Sequence, residues 1–410
     1  MTTLPPPERA EAAGRPLRLL MVTHFFESHR GGIEIVAGRL ARELAGTGIA
    51  VTWLATDDSP PPAAEGVRTV PVGAANLVER AIGVPFPVPG LPALRTIARE
   101  VAAADVVVVH DALYLTSLAA VAAARHCGTP VMVVQHIGVV PYRNPLLRAA
   151  MTLADRLVAR PLLARADQTV FISETTARHF AGLSFRAPPA LIFNGVDTDV
   201  FAPAADEAVV AEARRGLGLP GDGKIALFVG RFVEKKGIAA LVSMARLRPD
   251  VTFAFAGWGP LDPGGAGQPN VRVFGSLSGA ALAPLYRASD CLVLPSTGEG
   301  FPLVVQEALA CGLPVLCGED SARADPAAER FLTGVPVTPD DPAATAERFA
   351  AALDRLLAAG CAAGDRDARA AFARDRYAWD RTAARHAMLV RRLATRRAAP
   401  TPSGTPAVAG

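Results

Sequence analysis

The sequence predicts an α/β protein built from two Rossmann-like, doubly wound domains with a cleft between them. Three observations lead there. A chain of 410 residues is long for one core. Short β-branched runs alternate with Ala/Leu/Arg-rich helical stretches, the pattern of buried parallel strands joined by crossover helices. The alternation stops at a Gly/Asp/Pro-rich join and then restarts.

In the first half the strand-like runs are residues 17–24, 50–55, 106–110, 131–135 and 168–172, with helical segments at 33–45, 91–104, 115–126 and 146–164. The join spans residues 194–223. The second set of strands is 225–230, 252–256, 271–274, 291–295 and 315–317, with helices at 238–245, 280–288 and 302–310. A last helix, 379–393, is placed to pack back across the first domain. The expected division is a flexible terminus 1–16, domains 17–196 and 197–376, a C-terminal helix 377–396 and a flexible tail 397–410. Residues 55–92 read as variable loops.

Composition narrows the class. A net charge of +3 is near neutral for this length and argues against a nucleic-acid binder, which needs a concentrated basic surface. Lys224, Lys235 and Lys236 are the only lysines. Cys127, Cys291, Cys311, Cys317 and Cys361 show no C-x-x-C spacing and read as buried reduced thiols. The first sixteen residues lack an apolar h-region, and no run is long and apolar enough for a membrane span. A cytoplasmic protein is expected, with peripheral contact at the inner face of a membrane left open.

Two segments carry chemistry. In the first, an apolar strand ends at Pro295, a loop carries Glu299, and a helix opens at Pro302 and stops at Gly312 and Pro314. Backbone N–H groups of Phe301, Leu303 and Val304 would face an anion there, aided by the helix dipole. Glu307 lies about 7–8 Å along that helix, a spacing that suits one carboxylate on a sugar and another on a ribose with a diphosphate between. A solvated loop Glu and a solvated helix Glu fit the pair of acids equally well. In the second segment a strand delivers Gly230 and Arg231 to its C-terminal edge, and Lys236 and Gly237 precede the next helix. Arg and Lys converging there would neutralise a diphosphate, although a lone basic turn is usually surface charge.

Together these segments resemble the retaining family 4 glycosyltransferases (glycosyltransferase group 1) of the GT-B fold. The resemblance rests on E-x7-E at Glu299 and Glu307, G-R-x4-K-G from Gly230 to Gly237, and Asn194-Gly-Val-Asp197. It extends to Ala256-Gly-Trp-Gly-Pro260, Phe274-Gly275 and Gly31-Gly32, in the right order over nearly the whole chain. It implies a nucleotide-sugar donor, a UDP- or GDP-sugar, in the cleft. The acceptor would be a hydroxyl on a lipid-linked glycan, a glycolipid or a small metabolite. Arg231 and Lys236 would bind the diphosphate, Glu299 the transferred sugar and Glu307 the ribose. Gly230, Gly300, Phe301, Leu303 and Val304 would hold sugar and phosphate oxygens. Gly275, Ser276 and Leu277 would border the base, and Gly32 would admit the phosphate closely. His136, just past a first-domain strand, matches the family's histidine beside the reacting sugar. No cofactor or metal is implied.

The chain departs from the family at Pro302, which removes one N–H where neighbouring amides are expected to suffice, and in residues 317–325, where a Gly-Gly-x-x-Glu segment is common and whose remodelling puts the identity of the sugar in doubt. Asp197-Thr-Asp199 mimics a D-x-D metal motif but lies in the hinge. His24, His110 and Asp111 read either as acceptor-side groups or as strand-end polar residues. In residues 143–165, Arg148, Arg156, Arg160 and Arg165 meet anionic lipid while Leu146, Leu153 and Leu157 bury in it, or the helix is core-facing with a solvated basic side. Two rivals share the donor site, a GT-B sugar-nucleotide epimerase and a non-catalytic nucleotide-sugar-binding partner. A nicotinamide oxidoreductase is disfavoured, since neither half has a full G-x-G-x-x-G with its ribose acid.

Overall fold

β-branched residues in short runs, apolar on both faces, build strands that must be covered from two sides. The computed structural model describes residues 15–29, 31–77, 79, 86–138, 144–360 and 363–398. The first lobe holds β1 (Arg18–Val22), β2 (Ala50–Thr56), β3 (Val67–Val72), a hairpin of β4 (Ala74–Ala75) and β5 (Val88–Pro89), then β6 (Val106–His110), β7 (Val131–Gln135), β8 (Gln168–Phe171) and β9 (Ala190–Leu191). Apart from the hairpin these form one parallel sheet, ordered β3-β2-β1-β6-β7-β8-β9. Alternate residues go to opposite faces. Leu19, Met21, Val106 and Val108 pack against the Gly32–Gly46 helix, while Leu20, Val22, Val107 and Val109 pack against the Leu91–Ala103 and Leu115–Cys127 helices.

The second lobe repeats the plan with β10 (Lys224–Arg231), β11 (Val251–Trp258), β12 (Val271–Phe274), β13 (Cys291–Leu294), β14 (Val315–Gly318) and β15 (Leu332–Val335). Its parallel order is β12-β11-β10-β13-β14-β15. The final helix, Trp379–Ala398, returns to the first lobe and buries Trp379, Ala383, Val390 and Leu393 beside β1 and β6. Where the chain re-enters, the Val196 amide donates to the Tyr377 carbonyl at 2.7 Å. A Cβ on Gly195 would lie 2.2 Å from the Trp379 ring, so this crossing needs glycine. Asp325, fully buried, accepts from Arg376 and from the Tyr377 hydroxyl at 2.5 Å and clasps the second lobe to the returning chain.

Several expectations change. Residues 55–92 are not all loop, because β3 and the β4–β5 hairpin lie within them. The edge position of β3 tolerates Pro71 inside a strand, where a central strand would not. β9 and β15 close the two sheets; the Pro342–Ala359 helix packs on β14 and β15 and the Glu207–Gly216 helix on the Ala283–Ala288 helix, each opened by an aspartate cap at Asp341 or Asp206. Pro302 is the N-cap, and the helix begins at Leu303. Arg15, expected in the floppy terminus, is tied to Asp105 at 2.8 Å. Residues 1–14 and 399–410 lie outside the described residues, as do Cys361 and Arg143. Cys291, Cys311 and Cys317 are buried free thiols, and Cys127 is partly exposed.

Candidate functional site

Parallel strands deliver their loops to one edge of each sheet, and the two C-terminal edges face each other. In the second lobe β10 ends in Gly230 and Arg231, and a 3₁₀ turn, Glu234–Lys236, follows. Gly237 leaves that turn at φ 73°, and a Cβ there would sit 2.4 Å from the Pro295 carbonyl. This close approach seats the lysine turn against the loop after β13, where the Thr297 amide donates to the Lys235 carbonyl at 3.0 Å.

The approach brings Lys236 Nζ within 3.0 Å of Glu299 Oε2, with Lys235 Nζ at 3.8 Å from Oε1. Burial alone would raise the Glu299 carboxyl, but the charges of Lys236 and Lys235 outweigh it and hold the group below its ordinary value. Glu299 is therefore ionised at neutral pH. Its Oε1 is buried and accepts no hydrogen bond among the described residues, which leaves an acceptor unused.

Immediately beyond stands the Leu303–Ala310 helix. Its first amides, at Leu303 and Val304, have no intrahelical acceptor and carry the positive end of the dipole. The Phe301 side chain turns away into the core, edge-on to Phe193 and Tyr377, so only its backbone serves the cleft. Glu307, one turn in, accepts from Tyr286 Oη at 2.6 Å, and burial pushes its carboxyl up to about 7. Gly275, Ser276 and Leu277 form the loop after β12 on the same edge. The Arg231 guanidinium rests over the exposed Trp258 ring, 4.9 Å from its centroid.

The first lobe contributes a polar, enclosed edge. Gly32 opens a helix after β1, and a Cβ there would meet open space, so the protein itself does not demand glycine. His136 is buried, with Nε2 2.9 Å from His110 Nδ1, and burial pushes its imidazole down to about 3. Both histidines are neutral at pH 7, and His110 Nε2 has no partner among the described residues. Asp111 sits at φ 65°, the one non-glycine in that region among the described residues, and accepts from Gln135. Burial raises its carboxyl to about 8. His24 Nε2 lies 2.8 Å from Glu34 Oε1, and its ring stacks on Tyr114 at 3.5 Å. The lobes touch at the centre, where a Cβ on Gly300 would lie 2.4 Å from the His136 carbonyl.

The fold thus gathers Lys236, Glu299, Gly230, Gly300, the Leu303 and Val304 amides and His136 around one cleft, with Glu307 a turn deeper. Sequence reading quoted Trp258 only within its motif and missed Tyr286 and Glu34, because each meets a neighbour that only the tertiary fold supplies. Asp197 is drawn off by the hinge. It pairs with Arg39 at 3.3 Å and accepts from the Val200 amide at 3.3 Å.

The family described as Glycosyltransferase Family 4 matches residues 30–200, and that described as Glycosyl transferases group 1 matches residues 209–359. D-inositol 3-phosphate glycosyltransferase 1 of Catenulispora acidiphila is 30% identical over 359 residues, covering 79% of this chain and 82% of its own. D-inositol 3-phosphate glycosyltransferase of Acidothermus cellulolyticus is 29% identical over 389 residues, covering 86% and 83%. Among solved structures, sucrose-phosphate synthase from Thermosynechococcus elongatus superposes with a TM-score of 0.70 at 21% identity, covering 93% of this chain and 100% of that one. Anabaena Alr3699/HepE in complex with UDP-glucose superposes with a TM-score of 0.64 at 17% identity, covering 91% and 99%. With both lobes matched and a relative at 30% identity over most of its length, the chain belongs to the group 1 glycosyltransferases of family 4, enzymes of the two-lobed GT-B fold.

Proposed function

We propose that this glycosyltransferase moves a sugar from a UDP- or GDP-sugar to an acceptor hydroxyl with retention of configuration, without a metal or cofactor. The observation that carries the reading is the Glu299 carboxylate, ionised and held by Lys236 at 3.0 Å beside the free amides of a helix start. Ion pair and amides together offer acceptors for sugar hydroxyls and donors for phosphate oxygens at one place. Fold neighbours hold UDP-glucose or ADP, in keeping with a nucleotide-sugar donor.

In this reading Glu299 holds the transferred sugar and Lys236, Arg231 and the Leu303 and Val304 amides bind the diphosphate. Glu307 takes the ribose, Gly275, Ser276 and Leu277 border the base, and Gly230 and Gly32 give close approach. As the bond from the anomeric carbon to the phosphate oxygen breaks, negative charge grows on the leaving diphosphate. Stabilisation of that charge is the largest catalytic contribution. The acceptor oxygen bonds the same carbon from the same face, and its proton passes to the leaving phosphate. His136, neutral and backed by His110, lies beside the reacting sugar.

The curated relatives' names give inositol 3-phosphate as their acceptor, which puts a polyol phosphate beside lipid-linked glycans and small metabolites in the acceptor panel. Thermal shifts with UDP-, GDP- and ADP-sugars, repeated on Glu307→Ala, test the donor assignment. Stabilisation by one nucleotide that the variant loses supports it, and no shift with any nucleotide refutes it.

A further inference from the structure

The helical run from Pro145 to Arg165 is longer than the sheet it covers. At about 1.5 Å per residue it extends about 30 Å, whereas β7 beside it spans about 17 Å. Its second half lies on the sheet and buries Ala159, Leu162 and Leu163. Its first half, Pro145–Ala154, buries nothing. The expectation of a core-facing helix therefore holds only beyond the π-helical turn Asp155–Ala159.

Because the run starts after β7 and ends before β8, its bare half overhangs the C-terminal edge of the sheet, the edge that carries His136. Leu146 and Leu153 on this half and Leu157 in the π-helical turn after it stand on one stripe, 81%, 57% and 67% exposed. Two more leucines share that edge, Leu77 after β4 and Leu91 at the start of the next helix, 67% and 72% exposed. These five are the most exposed large apolar side chains among the described residues. Exposed leucines aligned on one face of a helix that covers nothing mark an interaction surface.

On the helical run the exposed charge is basic, since Arg148 and Arg156 are exposed and residues 144–154 contain no acid. Asp155, the one acid of the run, is taken by Arg160 at 3.0 Å and His179 at 3.2 Å. No helix of the described residues is long and apolar enough to cross a membrane, so a membrane contact made by this leucine rim would lie on the surface.

We infer that this rim seats the first lobe on an anionic lipid bilayer, with the leucines among the acyl chains and the arginines at the headgroups. The cleft edge then faces the membrane and takes a lipid-linked hydroxyl acceptor. The acceptor part rests on the function proposed above, whereas the docking part does not.

Sedimentation of the full chain with phosphatidylcholine vesicles, with and without phosphatidylglycerol, tests it. Binding is expected to the anionic vesicles, weakening with salt. The triple variant Leu146→Glu, Leu153→Glu, Leu157→Glu, whose side chains support no core, should bind about tenfold or more weakly while melting and binding nucleotide like the parent. Equal binding by parent and variant, or none by the parent, overturns the inference. A parent that is dimeric where the variant is monomeric assigns the rim to a second copy and overturns it as well. Failure of nucleotide binding in both proteins, with vesicle binding intact, would fault the donor reading and leave the docking surface standing.

Discussion

Lys236 Nζ and Glu299 Oε2 lie 3.0 Å apart although they belong to loops after different strands, β10 and β13. The pair is set by backbone, since Gly237 packs against the Pro295 carbonyl at a distance no other residue tolerates. Each partner orients the other before any donor arrives, which spares the ordering cost at binding.

Glu299→Gln tests the sugar side of that pair. Gln keeps the shape but loses charge-assisted acceptance, and Lys236 loses its counter-charge. At about 1.5–3 kcal/mol for hydrogen bonds to a charged group, kcat/KM should fall about 10- to 100-fold. Steady-state kinetics with a saturating acceptor check this, and an unchanged value would remove Glu299 from the site.

Glu307 gives a pH signature of definite sign. Its carboxyl titrates at about 7 in the folded protein against an ordinary 4.5, because burial disfavours the charge. The associated stability is present in full below about 4.5 and is lost as pH rises toward about 7. Glu307→Gln should therefore raise Tm relative to the parent at pH 8 and change it little at pH 5. In the proposed donor site the ribose hydroxyls need the ionised acceptor, so donor affinity in the parent should increase from pH 6 to pH 8 and stay flat in the variant. Paired melting curves and titration calorimetry read both effects.

Gly300→Ala probes the meeting of the lobes. The added methyl would fall 2.4 Å from the His136 carbonyl and hold the lobes apart, while Glu299, Lys236 and Glu307 stay together on the second lobe. The nucleotide Kd should be nearly unchanged and kcat should drop about 10²-fold, the usual effect of an ångström of misplacement. A kcat equal to the parent's would show that the contact is dispensable.

Asp325→Ala should destabilise the whole fold. Asp325 is fully buried and satisfies both Arg376 and Tyr377 where the chain crosses back to the first lobe. Removing one partner of a buried ionic cluster costs about 3–5 kcal/mol. Denaturant unfolding measures it, and a loss of less than about 1 kcal/mol would mean that the clasp is ornamental.

Much of this was legible in the residues. Continuous Val/Leu runs announced buried parallel strands, and the restart at residue 225 announced a second sheet. Glu299, Glu307, Lys236 and Arg231 stood out through the ordered set of motifs they belong to, since each acid or base alone fits a solvated surface as well. What was hidden depends on pairs far apart in the chain. Tyr286 meets Glu307 only because two helices cross, and His24 meets Glu34 only when the β1 turn folds over the following helix. The Pro145 helix has the same amphipathic pattern in its packed and bare halves. Only the length of the sheet beneath it decides which leucines find cover. β3 lies within residues that read as variable loops, and its Pro71 is compatible with a strand only because β3 is an edge.

The most direct test of the central claim, a nucleotide-sugar site organised by Lys236, is the initial rate of sugar transfer by Lys236→Ala, followed by proton NMR with the donor that stabilises the parent. The account predicts a rate lower by about 10²–10³, from loss of charge stabilisation on the leaving diphosphate, with an unchanged circular dichroism spectrum and retained anomeric configuration in the parent's product. Transfer by Lys236→Ala at the parent's rate, or a parent product of inverted configuration, would contradict it.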